Sequence, residues 1–248
     1  YGFGNIQLVE RVSRTDVPKK HAKFFYQVSF FAGRKEEKIL LDVLFEEIHY
    51  NEVVTLPIES PLLMTEGEPI MVNLPSYQDL LGEKNCSMEI NKQLYDIASL
   101  FDLTQDMTIT IETFKKFAAV ELAYRNLPTN DIQQVLDDIF NTSLSMTIQG
   151  TGDPEEYKLL IDGMKRIKGF IHSEKYGLEG AIINASKAAY LSKIIEKGST
   201  EVYHFNPDNT SDLIDTEIVA PLPTKLNRLK KTNIEAFYYW SEVQKLIQ

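Results

Sequence analysis

KILLDVLFEE, residues 38–47, decides how this chain reads: a run of strand-forming apolar residues encloses one carboxylate, Asp42. On an extended chain Leu40 and Leu44 are its same-face neighbours, because strand side chains alternate between faces. Upstream, AKFFYQVSFF (22–31) alternates Phe24, Tyr26, Val28 and Phe30 with Lys23, Gln27 and Ser29, the period of a half-buried strand. AGRKEEK (32–38) is a polar, Gly-containing turn, so residues 22–46 read as a β-hairpin. Its return strand is apolar on both faces, which predicts a central strand covered by helices. An ionised carboxylate in such surroundings needs a cation or hydrogen-bond donors. Asp42 is therefore a metal or base carboxylate lining a cleft, or a structural acid that caps backbone or pairs with Lys or Arg. Glu46 and Glu47, at the strand end, read as solvent-exposed.

Working outward, residues 5–12 predict a further strand, and 53–58 and 68–73 two short ones among Pro, Glu and Gly. The character changes at Leu74. Pro75-Ser76 followed by Tyr-Gln-Asp-Leu-Leu predicts a helix start, with Ser76 as N-cap and Asp79 three residues on. Apolar residues spaced three and four apart then predict helices over 88–102, 111–125, 129–141, 154–173, 178–197 and 232–247. In LPTNDIQQVLDDIF a Thr/Asn cap follows Pro128, with Ile132, Val135, Leu136 and Ile139 on one stripe. Residues 198–224 are polar and Pro-rich, with one strand-like piece, EVYHF (201–205). The layout is α+β: an α/β lobe with a small mixed sheet over residues 1–82, then a mainly helical lobe over 83–248. The Tyr/Trp-rich helix EAFYYWSEVQKL (235–246) is expected in the core.

The chain has 248 residues, 43% of them hydrophobic, and a net charge of −10, which places it among ordinary globular proteins without a global nucleic-acid footprint. Its two basic segments, MKRIKGFIHSEK (164–175) and KLNRLKK (225–231), read as solvated helix faces. No stretch reaches the ~18 apolar residues of a membrane helix, and no basic-then-apolar signal peptide opens the chain. Cys86 is the single cysteine, which rules out an internal disulfide, argues against a zinc site and suits a reducing cytoplasm. The first residues, YGFGNIQLVERV, read like a strand already under way, as in a fragment of a longer gene product.

Three further residues carry candidate chemistry. Lys84 ends QDLLGEK, where a helix dipole favours a cation, and where an ammonium can also meet a triphosphate. On helix 88–102, Ile90, Leu94, Ile97 and Phe101 form one stripe, and Lys92 and Asp96 lie together on roughly the opposite face. As a surface ion pair in Lys-before-Asp order, that couple would contribute only a few tenths of a kcal/mol. None of the four histidines has an evident Ser or Cys partner for a nucleophilic triad, and the short Gly runs at 2–4 and 150–153 are too brief for phosphate loops.

Taken in order, HAKFFYQVSF, ILLDVLFEE, SPLLMTEGEP, LPSYQDLLGEK and KQLYDIASLFD resemble the AbiEii/AbiGii family of nucleotidyltransferase-like toxins of type IV toxin–antitoxin and abortive-infection modules. The similarity is good over about residues 20–105 and diffuse beyond. It implies a small nucleotidyltransferase sheet joined to a helical lobe, and magnesium-dependent transfer of a nucleotide from an NTP, with tRNA ends among the acceptors and a cognate antitoxin as partner. Asp42 matches the family's third acidic position, a magnesium ligand. Lys84 matches the Lys of the LL(G/A)(E/D)K motif, near the nucleotide phosphates, and Lys92 and Asp96 match the K…YD motif of the next helix. The resemblance thus makes Asp42, Lys84 and Asp96 catalytic and Lys84, Lys92 and Asp96 nucleotide-binding. Two departures stand out. The family's Gly-Ser…Asp-x-Asp motif, which supplies two metal carboxylates, is expected upstream of Tyr1, and Lys84 runs directly into Asn85-Cys86 where relatives carry an LTAFAP-like stretch. The competing expectations are a catalytically inactive relative acting as a binding module, and a small-molecule nucleotidyltransferase of the antibiotic-modifying type, which the acidic charge suits.

Overall fold

Period-two apolar patterning in the first fifty residues yields to helical patterning after Leu74, and the architecture follows that change. A computed structural model describes residues 6–9, 21–28, 37–44, 47–59, 67–86, 90–169, 171 and 175–248. The chain forms two compact units, Tyr1–His49 and Tyr50–Gln248. The fold class is α+β, as expected.

The first unit holds an antiparallel sheet of β1 (Ile6–Val9), β2 (His21–Val28) and β3 (Glu37–Leu44), in the order β1-β2-β3. The hairpin of β2 and β3 forms in the register that sets Lys23 opposite Asp42 and Phe24 opposite Leu41. One expectation is corrected here. β3, not β2, was to be central; among the described residues β2 is paired on both edges and β3 on one, because β1 returns to β2. Leu41 of β3 is exposed, so this strand is not buried on both faces.

The second unit opens with a two-stranded antiparallel sheet, β4 (Val53–Pro57) and β5 (Met71–Pro75), in which Thr55 donates to Asn73 Oδ1 at 2.8 Å. Helices follow: α1 (Tyr77–Cys86), α2 (Ile90–Leu103), α3 (Thr108–Tyr124), α4 (Ile132–Thr147), α5 (Pro154–Ile167), α6 (Leu178–Lys197), α7 (Leu229–Thr232) and α8 (Ile234–Ile247). Local chemistry fixes several ends. Asp153 caps α5 by accepting the Glu155 and Glu156 backbone N–H groups, each at 3.0 Å, with Pro154 in the first turn. Gly198 stops α6 in the left-handed region, at φ 66°, where its own N–H closes on Ile194 and Ile195 carbonyls.

α6 is the hub. Ala181, Ala185, Ala188 and Ala189 are buried along it, and their small side chains let α2, α4 and α8 pack closely around one helix. α8 brings Phe237, Tyr239 and Trp240 into the core, as its composition predicts; the Trp240 indole N–H donates to Thr147 Oγ1 at 3.3 Å. EVYHF is not a strand: only Glu201 forms a bridge, with Asp106. Two of the amides that follow donate to side chains instead, the Tyr203 N–H to Tyr190 and the Phe205 N–H to Tyr239. The basic segment 225–231 is structural: Lys225 donates to the Ile148 carbonyl at 2.7 Å, and Lys230 to the Ile214 carbonyl. No described helix is long and apolar enough to cross a membrane.

Candidate functional site

The best-anchored candidate is Lys84, because the helix that carries it is fixed at both ends and along one side. At the start of α1, the Ser76 Oγ accepts the Asp79 N–H at 3.1 Å and donates back to Asp79 Oδ2 at 2.8 Å, the reciprocal cap read from Ser-x-x-Asp. The Asp79 carboxylate does more than cap. It accepts the Asn51 N–H and the Glu52 N–H, each at 2.9 Å, the Asn51 side-chain amide at 3.3 Å and the Thr113 hydroxyl of α3. Burial alone would push this carboxyl up; the hydrogen bonds from Asn51, Thr113, Glu52 and Ser76 outweigh it and hold Asp79 below the usual carboxylate range. One buried acid thus joins residues 51–52, α1 and α3.

Along its side, α1 meets α3 through Gly82. A Cβ there would lie 2.7 Å from the Thr110 carbonyl oxygen and 2.9 Å from the Phe114 nitrogen, so only hydrogen fits at this approach. The Thr110 hydroxyl donates to the Gln78 carbonyl at 3.2 Å across the same contact. In the next turn, Tyr50 donates to Glu83 at 2.9 Å and packs its ring 5.3 Å from Phe117. Burial, then the Glu83 carboxylate, raises the Tyr50 hydroxyl far above the ordinary phenol. Lys84 follows, half-buried in the last turn, and pairs with no other described residue.

α2 packs against α1 and carries the other two helical candidates. Leu94, Ile97 and Phe101 are buried, as the stripe predicts, and Asp96 is half-buried off that stripe. Lys92 lies on α2, but its side chain is outside the described residues. The far end of α2 is tied down by Lys187 of α6, a 6% exposed ammonium that meets Asp102 at 2.8 Å and Glu235 of α8 at 3.1 Å. Rings close the same region: Phe101 stands 5.6 Å from Tyr239 and 4.9 Å from His204, whose Nε2 bonds the Thr104 carbonyl.

Lys84 and Asp96 therefore belong to one packed helix pair in the unit Tyr50–Gln248. Asp42 lies on β3 in the unit Tyr1–His49, and its side chain is outside the described residues. Among the described residues no group of three or more His, Cys, Asp or Glu side chains converges to hold a metal. The Asp79 junction escaped the sequence reading except for its cap: Ser-x-x-Asp signals the local bond, but nothing local signals Asn51 or Thr113.

Comparison with curated proteins and with solved structures returns no match. Comparison with protein families matches residues 3–167 to AbiEii, described as nucleotidyl transferase AbiEii toxin of the type IV toxin–antitoxin system. That span takes in β1 to α5 and all four candidate residues, about two thirds of the chain. The matched span holds both β3, with Asp42, and α1, with Lys84, and the chain belongs to the AbiEii family of nucleotidyl transferase toxins of type IV toxin–antitoxin systems.

Proposed function

We propose that this protein transfers a nucleotide from an NTP to an acceptor hydroxyl, with a tRNA end as the acceptor, in the cytoplasm, and that a cognate antitoxin counters it. The family match over residues 3–167 carries this reading. In the reaction the acceptor oxygen forms a bond to the α-phosphorus, the bond from that phosphorus to the α,β-bridging oxygen breaks, pyrophosphate leaves, and the hydroxyl proton passes to solvent water. Lys84, on a helix held by Asp79 and Gly82, meets the phosphates as a fixed point charge, so little reorganisation is needed when charge develops on them. Lys92 and Asp96 orient the nucleotide from the neighbouring helix. Asp42 would offer one carboxylate to a magnesium ion, which when bound would supply charge neutralisation for phosphoryl transfer. Asp42 is one ligand, and the described residues bring no full metal set together, so no step is assigned to the metal.

The net charge of −10 favours a second acceptor class, a small molecule in place of RNA. Incubation with each labelled NTP, magnesium and total tRNA separates the two: label in RNA supports the first, label only in a small molecule the second. Absence of label from every NTP, together with undiminished growth inhibition by Asp42→Ala, would overturn nucleotidyl transfer altogether.

A further inference from the structure

The residue after Lys84 is the least explained polar group in the second unit. Asn85 is 1% exposed, and neither its amide nitrogen nor its amide oxygen has a hydrogen-bond partner among the described residues. Buried polar groups in native proteins are nearly always paired, and an orphaned one costs as much as a lost hydrogen bond. Asn85 lines a cavity of about 40 Å3 whose other walls come from α2, α4, α5 and α6 and are mostly buried, with the half-buried Asp138 and Ile139 at its more exposed side. Ile97, Val135 and Met146 give it an apolar interior, with Gln93, Asp138 and Thr142 as polar neighbours.

An apolar slot that carries a carboxamide with neither atom paired among the described residues, beside the second carboxamide of Gln93, suits a donor next to an acceptor on a flat, otherwise apolar body. Every nucleobase offers such an edge, and asparagine is a standard partner for it. The cavity's volume corresponds to a few waters at most, so it takes the edge of one ring and leaves sugar and phosphates outside. Asn85 is the next residue to Lys84 on α1, about 100° round the helix, and a nucleotide spanning the two would set its phosphates at the lysine and its base at the amide. Low dielectric in the slot strengthens any hydrogen bond made there.

We propose that Asn85 reads the hydrogen-bonding edge of the nucleotide's base, received by this cavity, and so sets which NTP is used. The proposal rests on the nucleotidyl-transfer reading, yet it is tested without transfer. The full chain is titrated calorimetrically with adenosine, guanosine, cytidine and uridine, and separately with tripolyphosphate. One nucleoside binds roughly 10-fold tighter than the weakest, and Asn85→Leu brings all four within about 2-fold while tripolyphosphate affinity stays the same. Asn85→Asp replaces the donor with a second acceptor and shifts the preference towards guanosine, whose edge offers two adjacent donors. Ala188→Leu, which fills the cavity from α6, removes nucleoside binding and leaves tripolyphosphate bound. An unchanged nucleoside ranking in Asn85→Leu, or no nucleoside binding to the parent chain, overturns the proposal and leaves Asn85 facing ordered water. Label transfer without an Asn85-dependent ranking sinks the base site alone; an Asn85-dependent ranking without transfer sinks the transferase reading alone.

Discussion

Replacing Asp79 with Asn removes a charge and one acceptor while keeping the shape. In the native structure Oδ2 takes the Glu52 N–H and the Ser76 hydroxyl, and Oδ1 takes the Asn51 N–H, the Asn51 amide and the Thr113 hydroxyl. An amide has one acceptor oxygen. In either orientation its NH2 group faces a backbone N–H, Glu52 in one case and Asn51 in the other. An unsatisfied buried donor costs ~1–3 kcal/mol, and the remaining bonds lose their charge assistance, so the total comes to about 3 kcal/mol. The chain's one tryptophan, Trp240, is fully buried in the same unit, and its fluorescence reports urea unfolding of that unit. Because the folded carboxyl is held below its ordinary value, its contribution is complete above about pH 4 and is lost as pH falls through the folded value. The gap between parent and Asp79→Asn should therefore be widest near neutrality and narrow in acid. A gap under about 0.5 kcal/mol at pH 7, or one that widens in acid, refutes the argument.

Gly82→Ala forces α1 away from the α3 backbone; overpacking of ~1–3 kcal/mol, less up to ~1 kcal/mol of helix propensity, leaves a net loss measurable in the same urea titration, and a stabilised variant would contradict the contact. Removing Lys187 as Lys187→Met leaves two partly hydrated carboxylates, whereas Asp102→Asn with Glu235→Gln strands a buried ammonium. The double variant should lose about 3 kcal/mol or more and Lys187→Met clearly less, so the reverse order in thermal melts would show that the ammonium does not depend on these acids. Lys84→Ala should cut label transfer by about 100-fold with Trp240 fluorescence unchanged; a loss below about 3-fold would remove Lys84 from the phosphates.

Legibility in the sequence followed how local the signal is. α6 spans 178–197 as its spacing predicts, because its start and its Gly198 stop are both local. Ser76 and Asp79 form the predicted cap for the same reason. The N-terminus of α4 shows the limit: Asp131 is the N-cap and makes no side-chain cap bond, so the Thr/Asn pair before it is turn, not cap. α3 begins at Thr108, three residues before its apolar periodicity does. The order of β1, β2 and β3 depends on which edge a distant strand chooses, and apolar content on both faces of β3 could not decide that. At the candidate site, the sequence predicts the helices on which Lys84 and Asp96 lie, and their roles come from the family resemblance. The Asp79 partners and the orphaned Asn85 amide depend on residues far along the chain, which no local pattern reports.

The tie from Lys187 to Asp102 and Glu235 reaches past the end of the recognised segment at residue 167. Phe101 of α2 is sealed by Tyr190 and Tyr239, both beyond that limit. A protein cut after Ile167 would keep every residue of the family-matched segment and yet uncover the inner side of the helix that carries Lys92 and Asp96. The family-matched segment is thus smaller than the compact unit it shares, and the C-terminal third supplies the surface on which α2 rests.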